Sequence, residues 1–173
     1  MATGLEQRDQ GLYIDGRWED GEDVIEVADL AEGGIFARVA AASPEQAEAA
    51  LAAAHRAKGP TRETTIVQRA EWMEAIAAGI EARKDRLADA IVREAGKPIS
   101  SARGEVDSAA ERFRRAAGEA RELQGEFLEG TTDGHEGWRA IVRPEPMGTI
   151  LCITPYNYPL STTALQIAPA LAA

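Results

Sequence analysis

The sequence predicts an α/β fold in which β-hairpins and helices lead into the first strand and helix of a parallel sheet. Three features carry that expectation. Short strand-like runs near the start are broken by Asp15-Gly16 and Gly33-Gly34, and long helical patterns fill the middle. Close to the end, Gly148-Thr149-Ile150-Leu151-Cys152-Ile153 is a nearly all-apolar run, as expected of a strand buried on both faces, and a helical pattern follows it.

Taken in order, Leu12-Tyr13-Ile14 and Arg17-Trp18 flank Asp15-Gly16, a dipeptide suited to a type I′ turn because both central residues need positive φ. A second hairpin is expected from Val24–Val27 and Ile35–Val39 across Gly33-Gly34. Ser43-Pro44-Glu45-Gln46 reads as a helix start with a serine N-cap, a first-turn proline and a capping-box glutamine. Ala47, Ala50, Leu51 and Ala54 would form its apolar stripe, ending near Gly59-Pro60. Ile66, Ala70, Met73, Ile76, Ala77 and Ile80 predict a second helix. After a break near Lys84, Leu87, Ile91 and Ala95 continue the period as far as Gly96-Lys97-Pro98. A further helix runs from about Ser100 with Val106, Ala109, Ala110, Phe113, Ala117, Ala120 and Leu123 on one face and Gly125 as its C-cap. Asp133-Gly134 and Gly137 break that pattern, and strand alternation returns over Trp138–Val142. The closing helix would use Leu160, Ala164, Ile167, Ala168 and Leu171.

Composition narrows the class. The chain has 173 residues, 45% hydrophobic and 28% charged, which suits a packed globular body. A net charge of −10 argues against nucleic-acid binding, which needs clustered cations for the phosphates. Lys58, Lys84 and Lys97 are its lysines and every other cation is arginine, a balance that fits either a high-salt interior or an arginine-coding bias. No run reaches the roughly 18 apolar residues of a membrane span, and the opening MATGLEQRDQ lacks the basic and apolar regions of a secretory leader. A cytoplasmic protein is the expectation. Cys152 stands alone, so no internal disulfide forms, and no metal-ligand spacing occurs.

The stretch Arg143-Pro144-Glu145-Pro146-Met147-Gly148, then Ile153-Thr154-Pro155-Tyr156-Asn157-Tyr158-Pro159-Leu160, then Ile167-Ala168-Pro169-Ala170-Leu171-Ala172 resembles the aldehyde dehydrogenase superfamily. Upstream, Tyr13-Ile14-Asp15-Gly16-Arg17-Trp18 looks like the family's opening hairpin. Glu94-Ala95-Gly96-Lys97-Pro98 with Glu105-Val106 is similar to its E-x-G-K-P…E-V segment. The chain departs at Ala28-Asp29-Leu30-Ala31, where the family more often has N-P-x-T-G.

The resemblance implies an N-terminal portion of that fold. Residues 1–137 would be hairpins and helices of the cofactor domain, 138–146 a strand toward an oligomerisation arm, and 147–173 the first strand-turn-helix of a Rossmann-like core. It implies NAD or NADP as cofactor, a small aldehyde as substrate, and a homodimer or homotetramer in the full-length form. In the family a cysteine thiolate adds to the aldehyde, hydride leaves for the nicotinamide, and water cleaves the thioester. Asn157 would donate its amide to the developing oxyanion, while Ile153, Thr154, Pro155 and Tyr156 would line the cofactor. Cys152 reads instead as a small core residue, because no histidine or base lies near it in sequence. His55 and His135 read as solvated.

The family's nucleophile and glutamate base are expected downstream, so the chain by itself is expected to be inactive. A truncated remnant serving as an interaction or regulatory module is the alternative. Asn157-Tyr158-Pro159 and Ala116-Ala117-Gly118-Glu119-Ala120 look most like members acting on lactaldehyde or glyceraldehyde 3-phosphate. Ser108 stands near where members with phosphorylated substrates tend to place an arginine.

Overall fold

The computed structural model describes residues 11–173. The expected lack of a secretory leader concerns residues 1–10 and lies outside the described residues. β1 (Leu12–Ile14) and β2 (Arg17–Glu19) form the first hairpin. Asp15 and Gly16 take φ of 50° and 78°, as a type I′ turn requires. That register sets Tyr13 opposite Trp18, with ring centroids 4.9 Å apart. β3 (Asp23–Ala28) and β4 (Ile35–Ala41) pair antiparallel, with an irregularity between Val27 and Ala28.

The loop that leaves β3 is organised by Asp29, which is buried. Its Oδ1 accepts from the amides of Ala31 at 3.0 Å and Glu32 at 2.9 Å, and its Oδ2 pairs with Arg93. The Arg93 guanidinium also lies 4.6 Å from the centre of the buried Phe36 ring. Here, where the chain departs from the family's usual turn residues, a carboxylate closes the turn and fastens it to a helix end.

α1 (Pro44–Arg62) and α2 (Ile66–Glu81) both begin with complete capping boxes, Ser43 with Gln46 and Thr65 with Gln68. The second is written in the sequence as Thr-x-x-Gln just ahead of the apolar Ile66. α3 (Lys84–Ala95) ends at Gly96, which adopts the left-handed conformation with φ of 66°. α4 (Ile99–Glu122) is the long central helix. β5 (Glu126–Glu129) and β6 (Arg139–Val142) form an antiparallel hairpin whose residues are all exposed. α5 (Pro159–Ala172) closes the described chain.

Alanine-rich faces let these helices approach closely. Ala70, Met73 and Ala77 of α2 pack with Ala109, Ala110, Phe113, Ala116, Ala117 and Ala120 of α4 and with Ala164, Ala168 and Ala172 of α5. A smaller cluster joins Ala88 and Ile91 of α3 to Ala102 and Val106 of α4. Ile80 and Leu160 pack against both clusters and knit them together.

Four expectations are corrected. α1 does not stop at Gly59-Pro60 but continues to Arg62. Gly59 has no Cβ to collide with the proline ring, so the usual restriction on the preceding residue is relaxed. The buried residue of α1 is Ala53, not the predicted stripe, and Leu51 is exposed. With alanine on nearly every face, the sequence pattern singles out no one side. α4 ends at Glu122 with Leu123, itself exposed, as its C-cap in place of Gly125. Gly125 instead lies beside Val142, where a Cβ would overlap the Val142 carbonyl. Lastly, the Gly148–Ile153 run forms no ladder among the described residues, and Leu151 and Ile153 are 74% and 77% exposed. A strand of that type is buried by neighbouring strands, and no described strand lies alongside it.

Candidate active site

The candidate site is the junction between the apolar run and α5. Pro159 opens α5, and its residue before, Tyr158, is the N-cap but makes no side-chain capping bond. The first amides of any helix need acceptors. Here Glu105, from the inner face of α4, supplies one: its Oε1 accepts from Leu160 N at 2.9 Å and from Ser161 N at 3.2 Å. The other carboxylate oxygen takes the Lys97 ammonium at 2.5 Å. The Glu105 side chain is 1% exposed and that of Lys97 16%. A buried carboxylate is tolerable because both oxygens are engaged, one by a charge and one by helix amides. Partial desolvation, and then the nearby Glu105 charge, push the Glu94 carboxyl up.

Lys97 reaches Glu105 from the short link between Gly96, which turns the chain off α3, and Pro98, which starts α4. The same ammonium lies 3.5 Å over the centre of the Tyr158 ring, a favourable cation–π contact. On the opposite side of the junction, Thr163 Oγ1 donates to Pro159 O at 2.5 Å and lies 3.4 Å from Thr154 Oγ1. Gln166 Nε2 donates to Ile153 O at 3.0 Å. The segment 153–158 is thus tied to α5 at Ile153 and Thr154 and held by Lys97 at Tyr158.

Against this frame, Ile153 and Tyr156 present apolar side chains to solvent, Tyr156 at 89% exposure. Pro155 is exposed and Thr154 half-buried. Asn157 is exposed in the turn, and its side-chain amide has no hydrogen-bond partner among the described residues. Its donors are therefore unspent. Cys152 is half-buried rather than a core residue. His55 and His135 are both exposed, His135 lying edge-on to Trp138. Among the described residues no group of His, Cys, Asp and Glu could hold a metal ion. No helix of the described residues is long and apolar enough to cross a membrane.

The sequence reading placed Lys97 and Glu105 in a motif without giving them a task. Their separation of eight residues, across a helix end and into the next helix, hides the fact that they meet. Tyr158 was likewise read only as part of the motif.

Known proteins are similar to this chain in sequence and in fold. A profile described as the aldehyde dehydrogenase family matches residues 18–173. The NADP-dependent glyceraldehyde-3-phosphate dehydrogenase of Streptococcus equinus is 34% identical, over 92% of this chain and 34% of its own length. The lactaldehyde dehydrogenase of Methanocaldococcus jannaschii is 32% identical, over 93% of this chain and 34% of its own. Among solved structures, the NADP-dependent glyceraldehyde-3-phosphate dehydrogenase of Bacillus halodurans C-125, complexed with NADP, superposes with a TM-score of 0.90. It shares 33% identity and covers 94% of this chain and 35% of its own. The chain thus spans about a third of the length of the relatives it matches. Over residues 18–173, which include the turn bearing Asn157, this chain belongs to the aldehyde dehydrogenase family.

Proposed function

We propose that the chain works as the N-terminal part of an NAD(P)-dependent aldehyde dehydrogenase, which oxidises an aldehyde to a carboxylic acid through a cysteine thiohemiacetal and a thioester. The observation that supports this reading most directly is Asn157, exposed with free amide donors on a turn whose following helix is capped from a second element. When a thiolate adds to an aldehyde, the carbonyl oxygen gains charge. A donor already aimed at that oxygen lowers the barrier by about 3 kcal/mol. Asn157 has the chemistry for that task. Cys152 is not the nucleophile in this reading: it is half-buried and has no base beside it. The nucleophile and base belong to the length that the relatives have beyond this chain's span.

Ile153, Thr154, Pro155 and Tyr156 are assigned to the cofactor wall. The exposed Ile153 and Tyr156 fit a flat, apolar ring system, and the pinned backbone between them would keep the wall rigid. NAD or NADP, when bound, would accept the hydride. Residues 1–137 are then the hairpins and helices of the cofactor domain and 147–173 the first unit of its sheet. Residues 138–146, which carry the exposed β6, are assigned to a strand toward an assembly arm of a dimer or tetramer. Lactaldehyde and glyceraldehyde 3-phosphate are the substrates to try first. Ser108, in place of an arginine, favours the uncharged one.

In the enzyme that carries this chain, Asn157→Ala is expected to lower kcat/KM by about 10²–10³-fold at unchanged cofactor affinity, measured by NAD(P)H absorbance. An unaltered rate would remove Asn157 from the oxyanion role. The 173-residue chain on its own is expected to produce no NAD(P)H from either aldehyde, and turnover by the purified chain would overturn the division of labour.

A further inference from the structure

We infer that Lys97, Glu105 and the Tyr158 ring form a positioning device that sets the orientation of Asn157. This deepens the oxyanion reading above and rests on it. Asn157 immediately precedes Tyr158, so its side-chain direction follows from how Tyr158 and the first turn of α5 are held. Three contacts hold them, and all three lead to one charge pair. Glu105 Oε1 takes the Leu160 and Ser161 amides. Glu105 Oε2 takes Lys97 at 2.5 Å. The Lys97 ammonium lies 3.5 Å above the Tyr158 ring.

The N-cap residue Tyr158 makes no side-chain capping bond of its own, so the acceptor for the first turn comes from Glu105. An ordinary Ser or Asp cap at position 158 would close the first turn but would offer Lys97 no ring to hold. Here cap and ring are fixed by one ammonium. Glu105 is anchored on α4 beside the fully buried Val106, and Lys97 on the α3–α4 link, so the turn takes its position from the helical body and not from itself. Neither residue touches the reacting atoms. Their effect on catalysis passes through Asn157, where a displacement of about 1 Å is enough to cost roughly a hundredfold.

The test is kinetic, in the enzyme that carries this chain, with Asn157→Ala as reference. Lys97→Met and Glu105→Gln are expected to lower kcat 10- to 100-fold while KM for the aldehyde and Kd for the cofactor stay within twofold. Lys97→Arg, which keeps both the charge and the stacking, is expected to recover most of the loss. Removing one member of a buried pair risks unfolding. The paired variant Lys97→Met with Glu105→Leu replaces both charges by apolar groups of similar size, a change that proteins usually tolerate. It leaves no unpaired charge but still strips the Leu160 and Ser161 amides of their acceptor, so it is expected to fold cooperatively with a thermal midpoint below that of the parent and to lose kcat. Wild-type kcat in the paired variant, while Asn157→Ala is crippled, overturns the device and spares the oxyanion reading. If Asn157→Ala is itself fully active, the oxyanion reading fails instead. Hydrogen exchange at the Leu160 and Ser161 amides then decides the structural half: faster exchange in the paired variant upholds the clamp, and unchanged exchange removes it.

Discussion

Two buried carboxylates illustrate how a single residue governs its surroundings. Asp29 is held below the ordinary aspartate value of 3.8 by the Glu32 amide foremost, then by Arg93 and the Ala31 amide, against burial that pushes the other way. In the unfolded chain it takes up its proton first as the pH falls. Its contribution to stability is therefore complete above about 3.8 and drains away as the pH drops below that value towards the lower folded pKa. Urea midpoints of the parent and of Asp29→Asn, measured between pH 6 and pH 2.5, should converge at the acid end; a constant gap would contradict the assignment. Glu105 is the second case. Glu105→Ala leaves the Lys97 ammonium partly buried without its partner and strips two helix amides, so a loss of about 3–5 kcal/mol is expected in chemical denaturation. Asp29 could be seen in the sequence only as a departure from a pattern, and Glu105 only as a motif letter. Neither the Arg93 contact, 64 residues away, nor the Leu160 contact, 55 residues away, is written locally.

Local chemistry governed much more at the scale of the element. The Asp15-Gly16 turn, the Ser43 capping box and the break before α3 were all legible, because each depends on residues within about one turn of one another. The capping boxes can be tested by substitution: Ser43→Ala or Thr65→Ala should each cost about 1 kcal/mol, with the change read as helix-specific hydrogen exchange at the first amides. Element boundaries set by partners were not legible. β5 escaped notice because Glu126-Phe127-Leu128-Glu129 has no alternation, and its strand character comes from pairing with β6. Gly125 belongs to that pairing. Gly125→Ala would push a methyl into the Val142 carbonyl, so amide protection across the Glu126–Val142 and Phe127–Ile141 pairs should fall while α4 remains intact.

For the molecule as a whole, stability divides between a knitted helical body and surface hairpins. Ile80 and Leu160 contact both buried clusters, so α2, α3, α4 and α5 should unfold as one unit, with β5–β6 exchanging its amides earlier because none of its residues is buried. Met73→Ala should lower the stability of that unit by about 2–5 kcal/mol, since Met73 of α2 is fully buried in the cluster it forms with α4 and α5. Hydrogen exchange of the helices in several independent steps would count against a single body. What the sequence by itself determined was the order of the elements, their turns and caps, and the family motif around Asn157, because these follow from neighbouring residues and from backbone preferences that act at short range. Only the tertiary structure decided which alanine face of α1 is buried, that Gly125 lies against Val142, and that Lys97 joins Glu105 to the ring of Tyr158, the residue after Asn157. Those outcomes depend on packing and charge contacts between segments far apart in the chain, and a local pattern carries no information about which distant group will arrive.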